Sequence, residues 1–223
     1  MKYSIKMIVT DLDGTLLRDD KTVSERTQAI LRRCRDKGIK IVYATARGGD
    51  AEELTYGIPF DGFIANNGAL AVAGDEVVYN RPVPDDFARL FLDICEARGL
   101  SAGSHRDHGK LYVEDCGLEE DAFIKWLLPK DLYFVVSWNK VGMIMHREAT
   151  KSNAVVALAR RWNIMKEEIV AFGDDLNDID LLGYAGYGVA MGNALEGVRA
   201  AAQYHCLGNE EDGLADWIER NVL

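Results

Sequence analysis

The sequence lacks a hydrophobic run of the roughly 18 apolar residues that a membrane span requires. Its first segment, "MKYSIKMIVTDLDG", becomes acidic before the apolar core of a signal peptide can develop. We therefore expect a cytoplasmic protein that has no membrane partner.

Cysteine is scarce, and the four residues present are spread along the chain at Cys34, Cys95, Cys116 and Cys206. None of them forms a CxxC pair, so their spacing favours neither a zinc site nor a disulfide framework. Reduced and mostly buried thiols are the expectation.

Positive charge is in deficit, because 26 Lys and Arg residues stand against 36 Asp and Glu residues, for a formal net charge of -10. A surface that binds nucleic acid or an anionic membrane needs a basic footprint. The acidic balance therefore argues against both partners. A small phosphorylated metabolite stays possible, because a bound metal ion can reverse the field at one site.

The sequence does contain an alternation of short apolar runs and amphipathic segments near both ends of the chain. The runs "KMIVT", "IKIVYA", "EEIVAF" and "YGVAMG" are typical of buried strands, and helical patterns separate them. Within residues 83–147 the order changes to helix, strand, helix, strand, strand, with antiparallel character. We predict an α/β protein with a doubly wound parallel, Rossmann-like core at 1–82 and 148–223 and an inserted α/β domain at 83–147.

Polar residues follow the predicted core strands where each strand ends. Ligands of open α/β sheets bind at the carboxyl ends of the strands, so we expect these side chains to meet there. The set comprises Asp11, Asp13, Gly14, Thr15, Thr45, Arg47, Lys151, Asp174, Asp175, Asn177 and Asp178.

The segment "GDDLNDID" crowds four carboxylates into eight residues. Like charges this close raise each other's pKa or need a cation between them. Asp175 and Asp180 fit solvated or helix-capping positions, where acidic groups are favourable without any function. Asp11 and Asp174, in contrast, can share a divalent hard cation, and Mg²⁺ fits such oxygen ligands.

This set of residue types is suited to phosphoryl transfer. A carboxylate kept ionised by a metal, such as Asp11, can attack phosphorus. Asp13, two residues further on, can exchange a proton with the leaving oxygen or with water. Lys151 and Thr45 can bind the non-bridging phosphoryl oxygens, which is most of what the reaction asks of a protein.

These motifs resemble those of the haloacid dehalogenase superfamily, and its cap-bearing, Cof-like type IIB phosphatases are the nearest branch. The resemblance rests on "DLDGT" at 11–15, Thr45 with Arg47, Lys151, and "GDDLND" at 173–178. Further pieces are "ANNGA" at 65–69, "AMGNA" at 190–194 and "NEEDGLA" at 209–215. The motifs extend over nearly the whole chain.

The resemblance implies a phosphatase that works through an aspartyl-phosphate on Asp11, with Asp13 as the acid and base. The implied Mg²⁺ ligands are Asp11, the backbone carbonyl of Asp13, Asp174 and Asp178, the last bound directly or through water. Residues on the substrate and phosphate side would be Thr45, Ala46, Lys151, Asn177 and Asn67. The inserted segment would be a cap that closes over the substrate.

The motif around Thr45 departs from the family, which usually has Thr-Gly-Arg where this chain has Thr45-Ala46-Arg47. The extra methyl group can narrow the pocket or move the Thr45 backbone. The inserted segment is also short for the branch, which favours phosphoglycolate as the first substrate to consider and a sugar phosphate as the second.

Other functions stay open at this point. A phosphomutase of the same superfamily would need a loop for a second phosphate, and "SHRDHGK", with His105, Arg106, His108 and Lys110, offers the required charge or is an exposed loop. A phosphorylatable signalling module uses similar residues but needs no insert of this size. The aromatic residues of the insert fit a small core or a dimer surface, so monomer and homodimer are both possible.

Overall fold

The computed structural model describes residues 3–48, 51–55, 57–104, 109–136 and 140–223. The chain divides into two compact units, one formed by Met1–Tyr79 with Thr150–Leu223 and the other by Asn80–Ala149. Elements are numbered in chain order through both units. The predicted α/β class with a central parallel sheet and a second sheet is confirmed.

The first unit is built on an eight-stranded sheet in the order β12-β11-β10-β1-β2-β3-β4-β5. Its strands are β1 (Met7–Thr10), β2 (Lys40–Ala44), β3 (Gly62–Ala65), β4 (Leu70–Ala73), β5 (Glu76–Asn80), β10 (Ile169–Gly173), β11 (Tyr187–Ala190) and β12 (Tyr204–His205). From β12 to β3 neighbouring strands run parallel, and β3 pairs with β4 antiparallel. The central strands are buried on both faces, which explains their continuous apolar runs.

Helices connect the parallel strands of this unit. They are α1 (Glu25–Asp36), α2 (Ala51–Leu54), α5 (Lys151–Trp162), α6 (Ile179–Tyr184), α7 (Glu196–Ala201) and α8 (Gly213–Asn221). Ser24 caps α1 as expected, because its hydroxyl accepts the Thr27 N–H at 3.0 Å. Thr150 caps α5 in the same way through the N–H of Asn153. This cap fixes where Lys151, the first residue of α5, enters the core.

The second unit has a four-stranded antiparallel sheet in the order β6-β7-β9-β8 and two helices. The strands are β6 (Ala102–Ser104), β7 (Leu111–Val113), β8 (Leu132–Val136) and β9 (Gly142–His146), and the helices are α3 (Asp85–Ala97) and α4 (Leu118–Leu127). The sequence pattern did not predict β6, whose three residues are small. A side chain at Gly103 would overlap the ring of Tyr112 on the paired strand, so this position favours glycine over a typical strand residue.

Each unit has its own hydrophobic core. In the second unit Phe91, Leu111 and Ile144 are fully buried, and Phe134 packs against them. Trp126 is 80% exposed on α4, so of the two interpretations of the aromatic residues in this segment, the small core does not apply to it. Among the residues that the structure describes, no helix is long and apolar enough to cross a membrane.

Candidate functional site

The carboxyl ends of β1 and β10 bring two carboxylates together. The strands are parallel neighbours, and the N–H of Asp11 donates to the Phe172 carbonyl at 3.0 Å. Asp11 and Asp174 are the first residues after their strands. Ligand oxygens of Asp11, Asp174 and Asp178 all lie within 4.8 Å of one another. The topology thus brings Asp11 and Asp174, which are 163 positions apart in the sequence, together at one edge of the sheet.

Lys151 lies between two of these carboxylates. Its Nζ donates to Asp11 Oδ1 at 2.6 Å and to Asp178 Oδ1 at 2.5 Å, and the lysine side chain is 0% exposed. Charge-assisted hydrogen bonds of this length hold all three groups in one arrangement. A lysine that would ordinarily be on the surface is therefore a fixed buried cation beside Asp11.

The cluster has more negative charge than Lys151 can balance. Burial raises the pKa of the Asp11 carboxyl to about 8, although the nearby Lys151 ammonium opposes this rise. Burial also raises the pKa of Asp174 to about 6, with a hydrogen bond from Thr15 acting in the opposite direction. For Lys151 itself burial disfavours the charged form, but Asp11 and Asp178 together raise its pKa above the ordinary value. Three carboxylates around one ammonium are suited to a further cation.

The donor set fits a divalent hard cation. The three carboxylates offer oxygen ligands, two of them buried, and when ionised they leave two negative charges beyond the one that Lys151 balances. Mg²⁺ prefers such oxygens and keeps several of its waters. The cluster can therefore bind a metal ion, as the crowding of carboxylates in the sequence predicted.

Asp178 also holds the turn that carries Asp174. Its Oδ2 accepts the backbone N–H groups of Asp174 at 3.0 Å and Asp175 at 3.2 Å. Asp175 accepts the N–H of Leu176 at 2.7 Å, and Asp180 accepts the N–H of Ser152, in the first turn of α5, at 2.9 Å. Asp175 and Asp180 thus bond backbone N–H groups, in keeping with the capping interpretation of these two residues.

Thr15 and Gly14 fix the orientation of Asp174. The Thr15 hydroxyl donates to Asp174 Oδ1 at 2.7 Å. Gly14 has a φ of +79°, and a side chain there would overlap the Asp174 carboxylate. The motif "DLDGT" thus contributes a direct contact to the residue after β10.

Asp13 is bound by two cations. Arg47 Nε donates to Asp13 Oδ2 at 2.6 Å and Arg47 Nη2 to Oδ1 at 2.8 Å, and Lys21 Nζ donates to Oδ1 at 2.7 Å. The hydrogen bonds from Arg47 lower the pKa of Asp13 to about 2, against the effect of partial burial, and Lys21 adds to the shift. The carboxylate is therefore ionised at neutral pH. Sequence analysis missed Lys21, because "RDDKT" is typical of a solvated turn.

Thr45 is buried at the end of β2, where its hydroxyl oxygen accepts the Arg47 N–H at 3.1 Å. The hydroxyl hydrogen has no acceptor among the described residues, so it can be donated to a ligand. Ala46 is not among the described residues that have a positive φ, so the residue in place of the usual glycine adopts ordinary backbone.

Asn67 and Asn177 come together although they are 110 positions apart. Asn177 Nδ2 donates to Asn67 Oδ1 at 2.9 Å. Within the described part of the chain, the Oδ1 atoms of Asn177 and of the neighbouring Asn66 are buried without a hydrogen-bond partner, which leaves two acceptors here. Gly68, at φ +99°, packs directly on the Thr150 carbonyl, so the turn at Asn66–Gly68 also supports the start of α5.

Most of the basic segment "SHRDHGK" lies outside the residues that the structure describes. His105, Arg106 and His108 lie outside the described residues, as does Trp138. Lys110 is described and is 8% exposed, so it is not a solvated side chain.

A family model described as haloacid dehalogenase-like hydrolase matches residues 8–125 and 117–218. The chain belongs to the haloacid dehalogenase-like hydrolases. The family resemblance of the motifs is thereby confirmed, and with it the expectation of an enzyme, a phosphatase of this superfamily.

Named phosphatases resemble this haloacid dehalogenase-like hydrolase along their whole length. The 5-amino-6-(5-phospho-D-ribitylamino)uracil phosphatase YcsE of Bacillus subtilis is 28% identical over 240 residues, covering 98% of this chain and 96% of the relative. Phosphoglycolate phosphatase 1 of Saccharolobus solfataricus is 26% identical over 224 residues, covering 97% and 95%. The solved subclass IIB sugar phosphatase BT4131 is 25% identical, covers 96% of this chain and 98% of its own, and has a TM-score of 0.81.

Proposed function

We propose that the protein is a Mg²⁺-dependent phosphatase that hydrolyses a small phosphate monoester through a phosphorylated Asp11. The observation that supports this most is the buried cluster in which Lys151 joins Asp11 to Asp178, with Asp174 alongside. It combines a nucleophile, a fixed cation and a set of metal ligands. Phosphoryl transfer relies mainly on such positioning and on electrostatic stabilisation.

Mg²⁺ would be held by Asp11, Asp174 and Asp178, with the Asp13 carbonyl as a further ligand. When bound, it would supply positive charge that keeps Asp11 ionised and stabilises charge on the phosphoryl oxygens. Lys151 orients the Asp11 carboxylate by donating to its Oδ1 and supplies a second positive charge beside it. Thr45 has a hydroxyl hydrogen to donate to a phosphoryl oxygen, next to the Arg47 backbone.

The proposed reaction has two steps. In the first, a carboxylate oxygen of Asp11 bonds to phosphorus, and the bond from phosphorus to the leaving oxygen breaks. Asp13 passes to that oxygen a proton that the ester brings in its monoanionic form. In the second step Asp13 takes a proton from water, the water oxygen bonds to phosphorus, and the Asp11–phosphorus link breaks to release phosphate. An ionised resting Asp13 suits both steps.

The substrate is a small organic phosphate, since the site residues described above engage the phosphoryl group alone. Phosphoglycolate is the first candidate because the inserted segment is short for the branch. A sugar or sugar-alcohol phosphate is the second. Relatives with both kinds of name support testing both. The second unit, with its own sheet and core, is proposed to select the leaving group, and the cytoplasm remains the proposed location.

The test is phosphate release from a panel of phosphoglycolate, sugar phosphates, nucleotides and pyridoxal phosphate, each with and without Mg²⁺. The wild type should release phosphate only with the metal, and Asp11→Asn should abolish release. Asp36→Asn, at an exposed residue of α1, is the matched control and should leave the rate unchanged. Release by Asp11→Asn at the wild-type rate would exclude Asp11 as the nucleophile.

A further inference from the structure

Two motifs of the sequence take no part in the proposed chemistry, yet the structure joins them to the loop that carries Asp13. Asn193, from "AMGNA", donates its Nδ2 to the Gly14 carbonyl at 2.8 Å. Its Oδ1 accepts the N–H of Asn209, from "NEEDGLA", at 3.0 Å. One exposed asparagine thus links the residue after Asp13 to the turn at residues 209–212, which we name the C-terminal turn.

The C-terminal turn binds residues 17–19, which follow the loop that carries Asp13. The buried Asn209 Nδ2 donates to the Leu17 carbonyl at 3.0 Å and to Asp19 Oδ1 at 3.3 Å. The Asp19 N–H donates to Glu210 Oε1 at 2.7 Å. Arg18 Nη2 is 3.0 Å from Asp212 Oδ1. Residues 17, 18 and 19 are therefore all bonded to this one turn.

Beyond these contacts the chain closes a small loop at residues 18–22. The Arg18 N–H donates to the Thr22 carbonyl at 2.9 Å, and the Lys21 N–H donates to the Arg18 carbonyl at 2.9 Å. Asp20 Oδ1 accepts from both the N–H and the hydroxyl of Thr22. Lys21 has a φ of +66°, a left-handed backbone that is unfavourable for a non-glycine residue. Such strain persists only where surrounding contacts determine the conformation.

The side chain of this strained residue reaches Asp13. Arg47 contacts both oxygens of the carboxylate, but from a single guanidinium group that is one-third exposed. Lys21 adds a third contact from a different segment of the chain, on Oδ1. Among the residues that the structure describes, Oδ1 then has two donors and Oδ2 has one, so Oδ2 retains an open lone pair toward them.

We propose that Lys21 is a positioning residue, supported by the C-terminal turn, which fixes the Asp13 carboxylate so that Oδ2 faces the proton transfer. The inference rests on the proposed function, in which Asp13 delivers a proton to the leaving oxygen. It gives the motifs "AMGNA" and "NEEDGLA" a common role as the support of this arrangement.

The consequence depends on the leaving group. As the bond from phosphorus to the leaving oxygen breaks, an alkyl oxygen takes the proton from Asp13 Oδ2, because an alkoxide is a poor leaving group. A nitrophenyl oxygen leaves as the anion and needs no proton. Loss of the Lys21 contact should therefore slow alkyl esters selectively, because proton transfer requires the donor within hydrogen-bond reach.

The experiment compares Lys21→Met with the wild type on p-nitrophenyl phosphate and on the alkyl phosphate that the wild type hydrolyses fastest. For Lys21→Met, kcat/KM should fall about tenfold on the alkyl ester and change less than about twofold on the aryl ester. Lys21→Arg keeps a cationic donor and should recover most of the loss. Lys6→Met is the matched control, since Lys6 also makes one 2.7 Å ion pair from a half-exposed side chain, at the start of β1.

Asn209→Ala tests the support, with its melting temperature measured alongside. The kcat/KM of this variant should also fall more on the alkyl ester than on the aryl ester, and the variant should remain folded at the assay temperature. Equal losses on both esters in Lys21→Met, or no loss on either, would overturn the inference while leaving the proposed function intact. Failure of the wild type to release phosphate from any ester would overturn the proposed function and this inference with it.

Discussion

At the scale of single residues, the contact between Thr15 and Asp174 should influence how readily the proposed metal site takes a cation. The Thr15 hydroxyl lowers the pKa of Asp174, while burial, the larger effect, raises it to about 6. A carboxylate with a raised pKa has to lose its proton before it can bind a metal. Thr15 thus favours the ionised and oriented form of the Asp174 carboxylate, which the proposed metal site requires.

Thr15→Val should weaken the response to Mg²⁺. The valine keeps the shape of the side chain and loses the donor, and loss of such an outer contact costs about 10-fold or more in metal affinity. The Mg²⁺ concentration that gives half-maximal phosphate release should therefore rise about tenfold. Thr55→Val is the control, because the buried Thr55 hydroxyl donates to the Ala51 carbonyl in α2 instead. An unchanged Mg²⁺ dependence in Thr15→Val would contradict this role.

Single residues also mark the limit of sequence-based prediction. Asp11, Asp174 and Lys151 are predictable because each follows a strand in the sequence, and their meeting follows from the topology of the parallel sheet. Lys21 had no such signal, because its contact with Asp13 depends on a left-handed backbone in a short loop. The catalytic and ligand roles of all these residues remain predictions.

At the scale of elements, the turn at Asn66–Gly68 and the start of α5 depend on each other. Gly68, at φ +99°, approaches the Thr150 carbonyl so closely that a side chain would overlap it. A methyl group there would also come within 2.7 Å of the Lys151 backbone nitrogen. Since Lys151 is the first residue of α5, any shift of this turn moves the cation that orients Asp11.

Gly68→Ala should therefore reduce both stability and activity. The left-handed backbone alone costs about 1–2 kcal/mol, and the overlap with Thr150 adds to this. We expect the rate of phosphate release to fall about tenfold or more, because small displacements of positioning groups are costly. Gly74→Ala is the matched control. Gly74 also has a positive φ, of +59°, but a methyl group there meets no atom within 4 Å.

The two substitutions separate backbone strain from the contact with α5. Gly74→Ala should lower the melting temperature without changing the rate of the folded enzyme. If Gly68→Ala behaved in the same way, the turn would have no role in placing Lys151. Thermal unfolding and steady-state assays on the same preparations give both quantities.

Strands are predictable from the sequence where they are buried on both faces, because burial requires apolar residues. The strands β1, β2 and β10 are buried on both faces and so have continuous apolar runs. The short strands β6 and β12 escaped prediction because the first consists of small residues and the second of two exposed ones. Their pairing depends on neighbouring strands and leaves no pattern of its own.

At the scale of the whole molecule, the candidate site belongs to one of the two units, and the other unit has a sheet and a core of its own. The first unit contains every residue of the candidate site, on elements that belong to a shared superfamily fold. The second has a separate core and sheet. A core that acts on the phosphoryl group alone is compatible with many substrates, because function resides in sites that a common fold carries. The relatives named for different phosphate esters agree with this division.

The central claim is that Asp11 becomes phosphorylated during turnover. The most direct measurement is acid quenching of the wild-type enzyme during Mg²⁺-dependent hydrolysis, followed by mass spectrometry of its peptides. The account predicts a phosphoryl group on the peptide that contains Asp11, and none when Mg²⁺ is chelated or in Asp11→Asn. A phosphoryl group on another residue, in an enzyme that turns over normally, would contradict it.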